Sequence, residues 1–482
     1  MPYGKSKDTS GYGYPPIMMR LLRHYISQAL LTLLGVEALS LFGSIYLGRA
    51  LHFMLIQGKV GLRVDEMIPS ASAFMFVMLT IMISLGLYER NFWSGKGEML
   101  LRVGVSFLFG LFAMTLLYYL VPDLALGRGE FSLAIGIAFL SVLSLRFIFF
   151  KITRHDQLKQ RVLVLGVGEH AAEIEALQQQ GTMGFLVPGY IQVHEHETPR
   201  VPAGRMLQVT SNLANLADEL RVDEIVVAMD DRRKGFPIDE ILSCKINGVA
   251  ISHFLGFFER QTGKVQLEAL RPSSIIFAEG FQGMGLRSTV KRMFDVTVSL
   301  LLLALTWPLM LVAVLAIWLE SGGHGPILYR QSRVGFKDRL FEVIKFRSMV
   351  VGAEKGGKAV WAQKNDSRIT RVGAVLRETR IDELPQLFNV LRGDMSFVGP
   401  RPERPQFVAD LRRGIPCYSM RHMVKPGITG WAQICYPYGA SEKDAREKLQ
   451  YDLYYIKNYS FFFDVVILLQ TVHTILWGRG AR

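Results

Sequence analysis

The sequence predicts a membrane protein of mixed α and α/β architecture. Four N-terminal transmembrane helices are expected to precede an α/β domain and a mostly α-helical C-terminal domain that contains a re-entrant membrane helix. Half of the 482 residues are hydrophobic, which is unusual for a soluble protein of this size. Hydrophobic runs of membrane-spanning length fill the first 150 residues, strand-like and helix-like segments then alternate, and a fifth long hydrophobic run follows them.

The first predicted region, residues 1–155, contains four hydrophobic runs that each approach the ~20 residues a helix needs to cross a bilayer. The runs cover 21–50, 70–88, 102–121 and 131–150. The Lys and Arg residues that flank them favour a cytoplasmic N-terminus and a cytoplasmic downstream domain. No secretory signal peptide is expected, because no small-residue cleavage site follows the first run. Glu37 lies inside that run, and the pattern leaves open whether it is a protonated or paired structural acid or a functional one.

Residues 160–262 change to the pattern of a small parallel α/β domain. The segment RVLVLGVGEHAAEIEALQQ from Arg161 predicts a buried strand, a glycine turn and a helix, and 223–229 and 248–254 predict further strands. The turn Gly166-x-Gly168-x-x-Ala171 resembles a dinucleotide fingerprint, which makes the domain Rossmann-like. Its third glycine is replaced by alanine, and no acidic residue closes a second strand at the usual distance. A structural or regulatory domain is therefore favoured over a nucleotide-binding one.

A linker is predicted at 263–286, followed by a C-terminal domain at 287–482. A hydrophobic run at about 291–319 is interrupted by Pro308, which breaks a helical hydrogen bond and kinks the chain. Basic residues flank both ends of the run, and a full span would export everything that follows. We therefore expect a re-entrant helix that bends at Pro308, with a kinked spanning helix as the alternative. Asp295 is expected to cap the helix entry or to pair with a neighbouring basic residue.

The charge of the chain is concentrated in this C-terminal domain. The formal net charge is +13, and the stretch from Arg287 to Lys457 holds 27 Lys and Arg against 16 Asp and Glu, a net of +11. Such a basic region suits phosphorylated substrates, lipid headgroups or nucleic acid. Nucleic acid is not expected, because the basic residues are spaced by Gly and Pro turns rather than along a helix or an aromatic sheet. The three scattered cysteines form neither a zinc pattern nor a disulfide framework.

Two adjacent carboxylates, Asp382 and Glu383, lie in the most basic part of the domain. The surrounding arginines are Arg377, Arg380, Arg392 and Arg401. In such a field one carboxylate can attack phosphorus, as aspartate does in several phosphoryl transfers. The other can bind Mg²⁺, which prefers one or two carboxylates together with substrate phosphate oxygens. On the residues alone, a helix cap in a salt-bridged surface explains the pair equally well.

The C-terminal part, about 285–482, resembles the bacterial sugar transferases, also called monotopic phosphoglycosyl transferases. The motifs that carry the resemblance are KRMFD (291–295), YRQSRVG (329–335), KFRSM (345–349), LRETRIDELPQLFNVLRGDMSFVGPRP (376–402) and KPGITGWAQ (425–433). Together with four membrane helices and a Rossmann-like domain, they resemble the large polyprenyl glycosylphosphotransferases that initiate exopolysaccharide or O-antigen repeat units. Trp307 precedes Pro308 where many members have serine, so the hydroxyl that assists the helix break is missing there.

The resemblance implies transfer of a sugar-1-phosphate from a UDP-sugar to polyprenyl (undecaprenyl) phosphate, with release of UMP. It implies that Asp382 is the nucleophile, that a covalent phosphosugar forms on it, and that Glu383 binds Mg²⁺. The residues expected to contact substrate phosphates are Arg377, Arg401, Lys345 and Arg347. The identity of the sugar is not legible in the sequence. A non-catalytic scaffold or regulator of polysaccharide export is the alternative function.

The expected location is the bacterial inner (cytoplasmic) membrane, with the soluble and catalytic domains on the cytoplasmic face and in contact with membrane lipids. A homodimer is compatible with the large form. The aromatic and hydrophobic tail from 451 onwards predicts an amphipathic helix on the membrane surface, with a sixth span as the alternative. Asp464 and His473 within the tail disfavour a span. His422 and His473 are expected to be structural rather than ligands.

Overall fold

In the computed structural model the chain forms two units: the first holds most of the chain up to Gln261, and the second holds the chain from Thr262 onwards together with short earlier segments such as Ile83–Gly86. Each unit is described by itself. The residues that the structure describes are 18–21, 24–57, 64–88, 96–153, 159–180, 184–194, 197–208, 212–230, 236–267, 285–353, 368–436, 439 and 441–476.

Long helices form the N-terminal part of the first unit, after two short strands, β1 (Met18–Leu21) and β2 (His24–Ser27). The helices are α1 (Gln28–Gln57), α2 (Val64–Ser84), α3 (Lys96–Leu120) and α4 (Arg128–Thr153). Each coincides with one predicted hydrophobic run, although α1 begins seven residues later than the run does. Leu31–Ile56, Met67–Ser84, Met99–Leu120 and Arg128–Phe149 are long and apolar enough to cross a membrane. The chain is therefore associated with a membrane through several apolar helices near its N-terminus.

A buried ion pair joins the first and fourth of these helices. Arg146 on α4 lies 2.8 Å from each carboxylate oxygen of Glu37 on α1, and both side chains are almost fully buried. Tyr88 donates its hydroxyl proton to the same carboxylate, and Arg146 also donates to the carbonyl of Leu87. Glu37 is therefore a paired acid, which agrees with the structural interpretation of its position.

A parallel sheet forms the rest of the first unit. Its strands are β3 (Gln160–Leu165), β4 (Phe185–Leu186), β5 (Tyr190–Ile191), β6 (Met206–Leu207), β7 (Glu224–Val227) and β8 (Ala250–His253), in the order β6-β5-β3-β7-β8 with β4 beside β3. The helices are α5 (Glu169–Gln179), α6 (Leu213–Glu219), α7 (Ile238–Ile246) and α8 (Phe254–Thr262). The three predicted strands are present. Strands β4, β5 and β6 were not predicted, because two residues are too few to show an alternation of hydrophobic and polar side chains.

The second unit is a small mixed domain built on one long helix. Its helices are α9 (Gly285–Glu320), α10 (Arg371–Glu378), α11 (Gln386–Arg392), α12 (Pro405–Gly414), α13 (Trp431–Cys435), α14 (Glu442–Lys457) and α15 (Phe461–Leu476). Its strands are β9 (Leu328–Val334), β10 (Leu340–Phe346), β11 (Ser396–Val398) and β12 (Gly427–Thr429). β9 and β10 are antiparallel, and β11 and β12 are parallel.

Helix α9 is the fifth long apolar helix of the described residues, and both of its ends are attached to this domain. Near its start, Arg292 donates to the carbonyls of Val390 and Leu391 at the end of α11. Near its end, Ala313 and Ile317 form a buried cluster on the same domain. A straight helix would hold Arg292 and Ile317 about 37 Å apart, whereas α11 is only about 10 Å long. This mismatch favours a bend within α9, where Pro308 lies.

A hydroxyl group lies two residues before Pro308 in the sequence. Thr306 donates its hydroxyl proton to the carbonyl of Leu302, four residues earlier, a bond that tends to bend helices. Thr306 precedes Trp307, so the hydroxyl stands one position before the serine that many relatives carry. The apolar side chains of α9 between Leu300 and Leu319 are largely exposed to the surroundings of the protein. Lipid would cover them.

The motif KRMFD at the start of α9 anchors the helix to the domain. Lys291 pairs with the buried carboxylate of Asp464 on α15 at 2.7 Å. Asp295 accepts from the hydroxyl of Ser396 and from the amide of Phe397 at 3.1 and 3.0 Å. The expectation that Asp295 pairs with a neighbouring basic residue is therefore wrong. Its partners are 101 and 102 residues away in sequence, beyond the reach of a local pattern.

Two predicted boundaries can be compared with the packing of this domain. Val265 and Leu267 are buried in its main core cluster, although the linker was expected to begin at 263. Residues 268–284 lie outside the described residues. In the tail, Phe463 and Ile467 of α15 are buried in the same core, while Phe461 is exposed. The tail helix therefore has one face in the domain core; the side chain of His473 lies outside the described part.

Candidate active site

Asp382 and Glu383 lie in a short 3-10 turn, Ile381–Glu383, between α10 and α11. Helix α10 ends at Glu378, and Arg380 then adopts a left-handed conformation with φ of 60°. A side chain with a Cβ rarely takes this conformation, and such strain is held by the surrounding structure. Ile381 and Leu384, which lie on either side of the acidic pair in sequence, pack against the cluster that includes Ala313 and Ile317 of α9. The turn that carries the acidic pair therefore packs against this helix.

Asn389 on α11 fixes this turn to strand β10. Its side-chain amide donates to the carbonyl of Glu342 at 2.7 Å and accepts from the amide of Ile344 at 3.0 Å. Asn389 is fully buried, so both bonds are shielded from water. Because Lys345 follows Ile344 on the strand, the same pair of bonds sets the distance between Lys345 and the acidic turn.

Glu383 is the anion of an ion-pair network that includes three cations. Its Oε1 accepts from Nζ of Lys345 at 2.7 Å and from Nη2 of Arg401 at 3.0 Å. Nη1 of Arg380 lies 3.9 Å from the same oxygen. Burial raises the pKa of Glu383, but Lys345 and Arg401 outweigh this and hold the pKa well below its usual range. Glu383 is therefore ionised throughout the physiological pH range.

Asp382 is in a different state from its neighbour. It is only 7% exposed, yet within the described residues its carboxylate has no hydrogen-bond or ion-pair partner. Burial raises its pKa above the ordinary carboxyl value, and the positive charge of Lys345 offsets this only in part. A desolvated carboxylate without a bonded partner is a stronger nucleophile than a solvated one, because no bond must be broken before it attacks.

Arg401 is positioned by residues to which the sequence analysis assigned no role. Gln433 accepts from Nη1 of Arg401 at 3.0 Å, which leaves Nη2 for Glu383. The backbone carbonyl of Arg401 accepts from buried Arg421 at 2.9 Å, and Arg421 also pairs with buried Asp452 at 3.0 Å. Neither Gln433 nor Arg421 has a sequence signature of catalysis, because each acts by holding another residue. Gln433 belongs to the quoted motif KPGITGWAQ, which is the one available hint.

The other two residues predicted to contact phosphates, Arg377 and Arg347, lie in different surroundings. Arg377 lies close enough to lower the pKa of Asp382, and its Nη1 is buried without a hydrogen-bond partner. An orphaned cationic donor beside a carboxylate suits an incoming phosphate oxygen. Arg347 donates to the carbonyl of His324 at 3.3 Å and is not bonded to the acidic pair. Arg392, expected among the arginines around the pair, lies at the opposite end of α11.

Mg²⁺ binds oxygen ligands, and the acidic pair contains carboxylate oxygens that could supply them. Among the residues described, no group of three or more His, Cys, Asp or Glu side chains could hold a metal ion. Glu383 supplies one carboxylate, and Mg²⁺ is commonly bound by one or two carboxylates while substrate phosphates complete its coordination. The ion pairs of Glu383 all end on Oε1, so its Oε2 is the oxygen suited to a cation. The residues fit an Mg²⁺ ion that binds together with a phosphorylated substrate.

The glycine turn of the α/β domain is occupied by the protein's own carboxylates. Asp230 accepts from the amides of Glu169 and His170 at the start of α5, at 2.9 and 3.3 Å. Glu197 accepts from the amide of Gly168 at 3.2 Å. These amides are the donors that a dinucleotide phosphate would use. A phosphate would have to displace two anions, which supports a structural or regulatory role for the domain.

His422 was expected to be structural, and its contacts agree. Its Nδ1 lies 2.6 Å from the carboxylate of Asp338, and the ring is buried. Burial lowers the pKa of His422 to about 4. The ring joins the turn after β9 to the segment after α12.

Comparison with known proteins gives consistent matches. A family model described as Bacterial sugar transferase matches residues 286–478. The UDP-N-acetylgalactosamine-undecaprenyl-phosphate N-acetylgalactosaminephosphotransferase of Aeromonas hydrophila is 41% identical over 264 residues, 55% of this chain and 61% of that protein. Two proteins named UDP-glucose:undecaprenyl-phosphate glucose-1-phosphate transferase also match. That of Escherichia coli is 43% identical over 332 residues, 67% of this chain and 68% of that protein. That of Caulobacter vibrioides is 45% identical over 193 residues, 40% of this chain and 71% of that protein.

Several relatives extend beyond the part that is matched. The chain covers 61% of the Aeromonas protein and 36% of the undecaprenyl-phosphate glucose phosphotransferase of Komagataeibacter xylinus. The match to the Escherichia protein nevertheless takes in more than two thirds of that protein, and the family model contains every residue of the acidic site. The chain belongs to the bacterial sugar transferase family.

Proposed function

We propose that this protein transfers a sugar-1-phosphate from a UDP-sugar to undecaprenyl (polyprenyl) phosphate and releases UMP. The observation that carries the proposal is the contrast within one dipeptide. Glu383 is ion-paired to Lys345 and Arg401, whereas the neighbouring Asp382 is buried and has no bonded partner within the described residues. A structural acidic pair would place both carboxylates in ion pairs. The names of the relatives, which print undecaprenyl phosphate as the acceptor, support the same reaction.

In the proposed first step, a carboxylate oxygen of Asp382 attacks the β-phosphorus of the UDP-sugar. The bond from this phosphorus to the bridging oxygen breaks, and UMP leaves with the electron pair. The phosphosugar is then an acyl phosphate on Asp382. In the second step an oxygen of polyprenyl phosphate attacks the same phosphorus, which frees the Asp382 carboxylate and forms polyprenyl-diphospho-sugar. Both steps are exchanges at phosphorus and need no oxidant or added proton donor.

The cations around the turn are suited to the negative charge of these steps. Lys345 and Arg401 are already held beside the pair by Glu383, and Arg377 presents its unpartnered Nη1. Fixed donors of this kind stabilise charge without reorganising during the reaction. Arg347 would have to leave the carbonyl of His324 to take part. Mg²⁺, when bound by Glu383 and the diphosphate, would offset charge on the leaving UMP.

Helix α9 supports a re-entrant arrangement at the cytoplasmic leaflet of the bacterial inner membrane. Both of its ends contact one domain, its middle is apolar and exposed, and Ile381 and Leu384 pack on its second half. The acidic pair would then lie at the height of lipid phosphates, where a soluble nucleotide sugar and a membrane-bound acceptor can both reach it. The interfacial face of α15 would lie along the same surface.

The experiment is a UMP-release screen with purified full-length protein, Mg²⁺ and undecaprenyl phosphate. UDP-glucose, UDP-galactose and their N-acetylated forms serve as donors, because the relatives are named for different sugars. At least one donor should release UMP and label the lipid. Asp382→Asn should abolish both, whereas Asp410→Asn, which removes an exposed acid on α12, should not.

Two outcomes would contradict the proposal. Full activity of Asp382→Asn would exclude the covalent step. Absence of UMP release with every donor would favour the non-catalytic scaffold. With the donor alone, radiolabel in the sugar should remain on denatured wild-type protein and not on Asp382→Asn, which tests the acyl phosphate separately from turnover.

A further inference from the structure

A second group of cations lies at the end of α11 that is remote from Asp382. It surrounds Gly393, which ends the helix in a left-handed conformation with φ of 93°. A Cβ placed on Gly393 would lie 3.5 Å from Nζ of Lys425 and 3.7 Å from Nη2 of Arg292. The ammonium and the guanidinium therefore flank the same point of the surface. The turn that carries Asp382 is one helix length away, about 10 Å.

Within the described residues, neither of these two cations forms an ion pair. Lys425 is half-buried, and its Nζ has no hydrogen-bond or ion-pair partner in the part of the chain that the structure describes. Arg292 donates to the carbonyls of Val390 and Leu391, which leaves three of its five N–H groups for another acceptor. Asp295 and Asp394 are both near enough to influence Lys425, but neither forms an ion pair with it. Like charges held together in this way destabilise the free protein unless an anion binds between them.

The surroundings of the pair are apolar and exposed. Val290 and Met293 flank Arg292 on α9 and are 48% and 67% exposed, and Met423, two residues before Lys425, is 45% exposed. Exposed hydrophobic side chains around a basic pair are typical of a surface that rests on the headgroup region of a bilayer. A soluble phosphate would leave these side chains in water, whereas a lipid would cover them.

We propose that Lys425 and Arg292 form a binding site for the headgroup phosphate of an anionic membrane phospholipid, separate from the site at Asp382. Nζ of Lys425 and the free N–H groups of Arg292 donate to the phosphate oxygens, and the acyl chains lie against Val290 and Met293. A lipid held there fixes the entry of α9 at headgroup height. Lipid binding at this site does not depend on the proposed transfer reaction.

The test measures lipid binding to the full-length protein in an uncharged detergent. Short-chain phosphatidylglycerol is titrated, and bound lipid is counted by native mass spectrometry. Lys425→Gln should bind about fivefold more weakly than wild type, since one basic residue near an anionic surface contributes about that factor. Lys443→Gln, which removes an exposed lysine from the start of α14, should bind as wild type does. Asp394→Asn should bind more tightly, because it removes the competing charge.

Further arms separate the lipid from other phosphates and from misfolding. Lys425→Arg should retain binding, and all variants should unfold within a few degrees of wild type. Phosphatidylcholine and inorganic phosphate should not displace phosphatidylglycerol. Equal binding by wild type and Lys425→Gln would overturn the proposal. Displacement by inorganic phosphate, or retention of undecaprenyl phosphate alone, would assign the cations to a soluble anion or to the acceptor and would overturn it as well.

Discussion

At the scale of single residues, the site depends on which of the two neighbouring carboxylates each nearby cation contacts. Lys345 and Arg401 bind Glu383, while Arg377 faces Asp382 without a bond. The acidic pair and these cations could be predicted from the motifs, because their chemistry is visible in the residue types. Arg421 and Gln433 could not, since an arginine that holds a backbone carbonyl looks the same in sequence as any other.

The rate of UMP release should depend on the ionisation of Asp382. Only the carboxylate attacks phosphorus, so kcat/KM should rise with pH as Asp382 loses its proton. Burial raises the pKa of Asp382 above the ordinary 3.8, so the midpoint of this acid limb should lie above that value. Lys345 lowers the same pKa, and Lys345→Gln should therefore move the midpoint to higher pH.

The pH profile has its own control and contradiction. Lys443→Gln removes a distant exposed lysine and should leave the midpoint unchanged. The maximal rate of Lys345→Gln should fall as well, because Lys345 also stabilises negative charge during the transfer. An acid limb at the same pH in Lys345→Gln and wild type would show that Asp382 is not the group that titrates.

At the scale of elements, strand β10 and helix α11 form the frame of the site. The amide of Asn389 bonds to two backbone groups of β10, and the left-handed Arg380 closes the turn before α11. Helices α1 to α4 and the three longer strands could be predicted from hydrophobic periodicity. The pairing of β10 with Asn389 could not, because it joins residues more than 40 positions apart through a side chain that also occurs in loops.

Asn389→Leu should destabilise the second unit by about 2 kcal/mol, because it leaves the carbonyl of Glu342 and the amide of Ile344 buried without partners. Thermal unfolding of the full-length protein should show the loss as a decrease of about 6 °C. Asn389→Asp keeps an acceptor for Ile344 but places a buried carboxylate oxygen against the carbonyl of Glu342, so its decrease should be at least as large. An unchanged unfolding temperature in Asn389→Leu would show that the bonds to β10 do not hold the turn.

The two ends of α9 should be reached from the same side of the membrane. Thr289→Cys and Ser321→Cys, introduced singly after replacement of the three native cysteines, should both react with an impermeant maleimide in inverted membrane vesicles and neither in intact cells. A re-entrant helix returns to its starting side, whereas a kinked spanning helix separates the two cysteines. Labelling from opposite sides would establish the spanning alternative.

At the scale of the whole molecule, every residue of the acidic site lies in the second unit. The order of membrane helices, α/β sheet and C-terminal domain could be predicted from changes in hydrophobic pattern along the chain. The end of the first unit could not, because the packing of Val265 and Leu267 into the second unit is a tertiary contact without a local signal. The binding of Asp230 and Glu197 to the glycine turn could not be predicted either, since both residues are distant from the turn in sequence.

Residues 262–482 expressed alone should retain Mg²⁺-dependent UMP release in membranes. The Caulobacter relative supports this expectation, because its match of 193 residues already covers 71% of it. The same fragment with Asp382→Asn is the matched control. Loss of activity in a fragment that still unfolds cooperatively would mean that the first unit contributes to the reaction.

The attachment of both ends of α9 to one domain has a consequence for how the protein enters the membrane. Lys291 and Arg292 at one end and Arg330 after the other end would remain on the side where they were synthesised, so no charge would cross the membrane electric field. The free energy of inserting α9 should then be independent of the transmembrane potential. An uncoupler that collapses the potential should leave insertion of this helix unaffected, whereas the loops that must be exported between α1 and α4 should respond to it.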